Sequence, residues 1–195
     1  MAHDTTASGG SVDGAIGGVA ESRPMSDVSP HVINVDAVDE VVDFDGERWG
    51  SAYKPLTPPS TRTGSRLGVN QSRVPPGRTS CPFHYHQRED EAFFVLSGRG
   101  VLRYGDALRV LRAGDFVYCP AGAKVAHQIA NPFDEDLVYL AMGPNDPDEV
   151  CVYPDSGKVM VRSLGRVGFL EKTDYMAGEP EEPRIFELAR ALLAG

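Results

Sequence analysis

The sequence predicts an all-β protein, a sandwich or barrel of short strands followed by one short C-terminal helix. Three observations predict it. The central runs "EAFFVLSG", "GVLRYGD", "ALRVLRAGD", "FVYCPAG", "AHQIAN" and "DLVYLAMG" follow one another closely, with Gly, Pro, Asn or Asp between almost every pair. The 21 glycines and 15 prolines are scattered through the middle of the chain rather than gathered into one linker, which is the punctuation of many turns. The hydrophobic period becomes helical only at the end, where Ile185, Leu188, Ala189, Leu192 and Leu193 fall at i, i+3, i+4, i+7 and i+8.

The elements follow in order. Residues 1–28 are rich in Gly, Ala and Ser with isolated aliphatics, too little apolar surface to offset chain entropy, so a flexible arm is expected there. "HVINVDAVDEVVDF" (31–44) reads as short strands, with Asp45-Gly46 as a turn. Residues 53–66 read as loop, 67–74 as a strand, and "PPG" (75–77) as its stop. Gly105-Asp106 lies between two alternating runs and suits a two-residue hairpin turn. "VCVYP" (150–154) and "KVMVRS" (158–163) add two strands. The final helix starts behind Pro183 and the acids at 181–182 and is expected to pack outside the β body or on a second subunit.

With 195 residues, 41% of them hydrophobic, the chain can bury one sizeable core. Its net charge of −9 opposes a phosphate backbone, so nucleic acid is not an expected partner. No stretch approaches 18 apolar residues, and the N-terminus lacks a basic start and an apolar segment, so no membrane contact and a cytoplasmic location are expected. Cys81, Cys119 and Cys151 are odd in number and widely spaced, which reads as free thiols. A small-molecule ligand or a protein partner remains.

The chemistry concentrates in "HYHQREDEAFFVLSG" (84–98). Side chains at i and i+2 of a strand share a face, so His84 and His86 converge while Tyr85 turns away. Gln87–Asp90 reads as a polar turn and Glu91 as the start of the next strand. If that strand neighbours the first, at about 4.8 Å, the Glu91 carboxylate reaches both imidazoles. Glu89 is the alternative carboxylate. His127 opens a strand after a Pro-Ala-Gly turn and joins the pair only if its strand lies beside theirs. Phe93, Val95, Phe116 and Ile129 read as core, Cys81 and Cys119 as buried small hydrophobes, Gly98, Gly114, Pro120 and Gly122 as turn residues, and Asn131 as a partner for backbone near the site.

"GRTSCPFHYHQREDEAFFVLSG" resembles the first motif of the cupin superfamily: Gly, then His-x-His, three or four residues, Glu, six residues, Gly. His86 to Glu91 and Glu91 to Gly98 match, and Gly77 stands one residue further from His84 than is usual. "GDFVYCPAGAKVAHQIAN" resembles the second motif through Gly114, Pro120, Gly122, His127 and Asn131, with two extra residues before His127 that lengthen a loop at the mouth of the site. The resemblance implies a double-stranded β-helix, or jelly roll, over roughly residues 67–145, preceded by strands and a loop at 29–66 and followed by an extension at 146–195 with strands and the terminal helix. It implies one divalent transition metal held by His84, His86, Glu91 and His127, with Glu91 also the candidate catalytic residue. "EVCVYPDSGKVMVRS" (149–163) further resembles a subgroup of stand-alone bacterial single-domain cupins largely without assigned activity.

Such a donor set suits Fe, Mn, Ni, Co, Cu or Zn. An octahedral ion keeps two positions open for substrate, water or dioxygen, whereas tetrahedral Zn is closed by the same four groups. The expected function is metal-dependent small-molecule chemistry, as a dioxygenase or isomerase. The alternatives are a non-catalytic protein that binds a sugar or organic acid through the metal, and a metal-free barrel. A homodimer is expected, with strands from 31–52 adding to a neighbouring barrel.

Overall fold

The computed structural model describes residues 32–57 and 66–195. The arm expected at 1–28 lies outside them, as does most of the loop at 53–66. Residues 35–37 form a 3-10 turn rather than a strand. Asn34 closes it by accepting a hydrogen bond on its side-chain oxygen from the Asp36 N–H at 2.9 Å.

The strands are β1 (Val41–Asp45), β2 (Trp49–Pro55), β3 (Leu67–Val74), β4 (Arg78–Thr79), β5 (Tyr85–His86), β6 (Glu91–Ser97), β7 (Arg99–Tyr104), β8 (Ala107–Arg112), β9 (Phe116–Cys119) and β10 (His127–Asn131). They continue as β11 (Leu137–Pro144), β12 (Val150–Tyr153), β13 (Lys158–Val161) and β14 (Arg166–Phe169), and α1 (Arg184–Leu193) closes the chain. β2 therefore runs two residues past Tyr53 into the segment read as loop, because Tyr53, Lys54 and Pro55 pair with Ser72, Gln71 and Asn70 of β3.

Among the described residues the larger sheet runs β8-β7-β10-β4-β2-β3-β11-β6-β9, with β1 paired to β2, and the smaller runs β14-β13-β12-β5. The core is one cluster: Val74, Phe93, Val95, Leu102, Leu111, Val117, Cys119, Ile129, Leu137 and Tyr139. All of these come from strands of the larger sheet or their ends, so that sheet curls until its inner face encloses its own core. The fold is a predominantly β, cupin-like half-barrel with a single short C-terminal helix.

Turns fix the strand ends. Gly105-Asp106 joins β7 to β8 with Tyr104 opposite Ala107, as the alternation requires. Gly98 has φ +74°, and a Cβ there would lie 2.1 Å from the Asp136 carbonyl oxygen, so only glycine fits between β6 and β7. Asn131 donates to the Val74 and Glu135 carbonyls at 2.8 and 2.7 Å. It lies at the opposite end of β10 from His127 and pins a turn there.

Two expectations are corrected. Phe93, Val95 and Ile129 are core, but Phe116 is exposed. β9 turns Val117 and Cys119 inward, and the period of two then sends Phe116 and Tyr118 to solvent. The helix forms as expected, yet it buries none of its residues. Ile185, Leu188, Leu192 and Leu193 are all exposed, so its apolar face does not pack on the β body of this chain.

Candidate metal centre

His84 and His127 meet through the backbone. The His84 N–H donates to the His127 carbonyl at 3.1 Å, and the His127 N–H donates to the His84 carbonyl at 2.7 Å. The strand carrying His127 therefore lies beside the His84–His86 segment, which is the condition for all three imidazoles to converge. His84 and His127 ring centroids are 4.5 Å apart, and those of His84 and His86 are 5.0 Å apart.

Glu91 stands among the three rings. Its Oε2 lies 2.8 Å from His127 Nε2, 3.3 Å from His86 Nε2 and 3.6 Å from His84 Nε2. The route differs from the one expected. β6, which Glu91 opens, pairs with β9 and β11, while β5 pairs with β12, so the carboxylate reaches the imidazoles across the interior and not along a shared ladder.

The outer nitrogens orient the rings. His84 Nδ1 donates to the Pro82 carbonyl at 2.8 Å, which leaves Nε2 facing the centre. His86 Nδ1 lies 3.3 Å from Glu149 Oε1. His127 Nδ1 is buried without a hydrogen-bond partner among the described residues. His84, Glu91 and His127 each bring a donor atom within 4.8 Å of the others, a grouping that could hold a metal ion, and His86 Nε2 stands beside it at 3.3 Å from Glu91 Oε2.

Other groupings fit less well. Glu89 approaches the outer edge of His86, 3.7 Å from Nδ1, and both its oxygens are taken by Arg162. The guanidinium already supplies the positive charge that an ion between His86, Glu89 and Glu149 would bring. Cys151 forms a second group with His84 and His86, and in the free chain burial pushes its thiol up.

Charge in the cluster is coupled. Burial pushes the Glu91 carboxyl up, but hydrogen bonds from His127, His84 and His86 outweigh it and hold the group well below the usual carboxylate range. Burial opposes charge on His84, yet its bonds to Cys81 and Glu91 prevail and its pKa is pushed up to about 11. For His127 burial wins, and its pKa is lowered. In the free chain, then, a proton on His84 offsets the Glu91 charge.

A polar cleft of about 210 Å³ opens beside His86 and Glu91, and Asn70, Glu89, Asn145 and Arg162 line it. A cavity of about 660 Å³ is lined by Trp49, Cys81, Phe83, Asp155 and Lys158, and none of His84, His86, Glu91 and His127 lines it. Glu149 and Arg162 are the residues that sequence reading missed. Both belong to the segment after β11, and no local spacing links them to His86 or Glu89, 63 and 73 residues away.

Comparison with known proteins agrees with this fold. A family model described as "Cupin domain" matches residues 70–143. This chain has the fold of the cupin superfamily. A crystal structure of a cupin-superfamily sugar phosphate isomerase from Silicibacter pomeroyi is 26% identical, with a TM-score of 0.60, covering 77% of this chain and 96% of that one. An oxalate-binding protein from Thermotoga maritima is 33% identical over 70 residues, 36% of this chain and 55% of that protein. An uncharacterised protein from Methanocaldococcus jannaschii is 28% identical over 105 residues, 54% of this chain and 74% of that protein. The cupin fold and the candidate metal cluster suit broad cupin-type small-molecule chemistry. Among the described residues no helix is long and apolar enough to cross a membrane.

Proposed function

We propose that His84, His86, Glu91 and His127 hold one divalent transition-metal ion and that this cupin acts on a small polar molecule as a metal-dependent isomerase or dioxygenase. The observation that carries the reading is the convergence of three Nε2 atoms on Glu91 Oε2 within 2.8–3.6 Å. The ion, when bound, would polarise a substrate oxygen, and a redox-active one would also handle dioxygen. The isomerase branch draws support from likeness to the S. pomeroyi protein, which extends well beyond the barrel to 77% of this chain.

In that branch the chain's own groups do the proton work. An aldose–ketose interconversion takes a proton from the hydroxyl-bearing carbon beside the carbonyl and returns one to the former carbonyl carbon, while the hydroxyl proton passes to the former carbonyl oxygen. Glu91 is the candidate base, because its carboxylate lines the cleft where a substrate would enter. The cleft beside His86 and Glu91 has polar walls suited to a hydroxylated substrate.

A second reading, a binding protein for a small organic acid, is favoured by the 33% identity to the oxalate-binding protein. One experiment separates the readings. The apoprotein is reconstituted in turn with Fe²⁺, Mn²⁺, Ni²⁺, Co²⁺, Cu²⁺ and Zn²⁺ and screened against sugar phosphates, keto acids and phenolic acids, with dioxygen uptake recorded. Turnover with any ion supports the enzyme. No turnover, with oxalate or another acid raising the melting temperature, supports the binding protein.

A further inference from the structure

We propose that Glu149 is a positioning residue for His86, so that the segment following the barrel completes the metal centre. This rests on the metal reading above. Glu149 has no exposed surface and precedes β12, outside the 70–143 segment that matches the family model. Its Oε1 accepts from the Gln87 N–H at 2.9 Å and lies 3.3 Å from His86 Nδ1, and its Oε2 accepts from the Arg88 N–H at 2.9 Å. One carboxylate thus grips the ring of His86 and the two peptide N–H groups that follow it.

The same segment is fastened to His86 independently. Cys151 of β12 pairs with His86, and Val152 with Tyr85. The Gln87 N–H donates to the Val150 carbonyl at 3.0 Å. Arg162 forks onto Glu89, which also accepts from the Asp146 N–H at 2.6 Å. The carboxylate is therefore held where His86 needs it.

Charge explains why the residue is an acid. Two backbone N–H groups need only a neutral acceptor, and a buried carboxylate without compensation is costly. Arg162 pairs directly with Glu89 and reaches Glu149 only through space, without an ion pair. A divalent ion beyond the imidazole would balance Glu91 and Glu149 together. Through the ring, Glu149 keeps the proton on Nδ1 and leaves the Nε2 lone pair for the ion.

The test is Co²⁺ titration of the wild-type apoprotein and of Glu149→Gln, each checked for native melting, with proton NMR of the ring N–H groups in the Co²⁺ forms. Wild type should bind Co²⁺ and show a His86 Nδ1–H signal protected from solvent. The variant should bind about 10- to 100-fold more weakly, and that signal should shift and exchange faster. Should Glu149→Gln not fold, Glu149→Asp carries the same expectation, since it keeps the charge but withdraws it by one methylene. Co²⁺ affinity within twofold of wild type and an unmoved signal overturn the positioning role while leaving the metal reading intact. A wild-type protein that takes up no ion overturns both.

Discussion

Glu91 is the residue on which the proposed chemistry turns. Replacing it with Gln keeps the shape but removes the charge. Glu91→Gln should retain part of the metal affinity yet lose at least about 100-fold in turnover, the loss typical of a general acid–base group, measured as kcat in the reconstituted protein. His84 supplies the pH dependence. With its pKa pushed up to about 11 in the free chain, it holds a proton at neutral pH that an ion must displace. Metal binding should therefore release a proton, and affinity should rise about tenfold per pH unit from pH 7 to 9. Calorimetry in buffers of different ionisation enthalpy reads that proton directly. The proximity of His84, His86, Glu91 and His127 was legible in the sequence because strand geometry puts i and i+2 on one face, and because two motifs carry the remaining pair. Glu149 was not legible. It lies 63 residues from His86, and a "DPDEV" stretch looks like any acidic turn until β12 is seen to pair with β5.

Elements bring these residues together, and two changes test that. Gly98→Ala forces a Cβ against the Asp136 carbonyl at a positive φ, and should cost at least about 2 kcal/mol in denaturant unfolding. Arg162→Met leaves the buried Glu89 carboxylate without its guanidinium and should cost about 3 kcal/mol, while also loosening the 146–162 segment from the site. Strand existence was readable from alternation and turn residues, as β3, β6 and the β7–β8 hairpin illustrate. Pairing was not. Glu91 was placed next to the histidines on an assumed neighbouring strand, and it arrives instead from β6 across the interior. The helical period at 184–193 was correct, but amphipathicity does not say what covers the apolar face.

At the scale of the molecule, strands on both sides of the family-matched segment join the sheets. β2 pairs with β3 and β4 of its own chain, which leaves β1 as the outer strand on that side, with Val41, Val42 and Phe44 exposed. An open row of N–H and C=O groups needs cover, and a two-fold pairing of β1 edges would supply it. Light scattering at micromolar concentration should give twice the 21.0 kDa of one chain, and a monomer mass would count against the pairing.

The central claim, a metal centre built from three histidines and Glu91, is tested most directly by elemental analysis of protein purified anaerobically from its native host, beside a His86→Ala variant. The account predicts one divalent transition ion per wild-type chain and its loss from the variant. No stoichiometric metal in the wild type, or an unchanged content in His86→Ala, would contradict it.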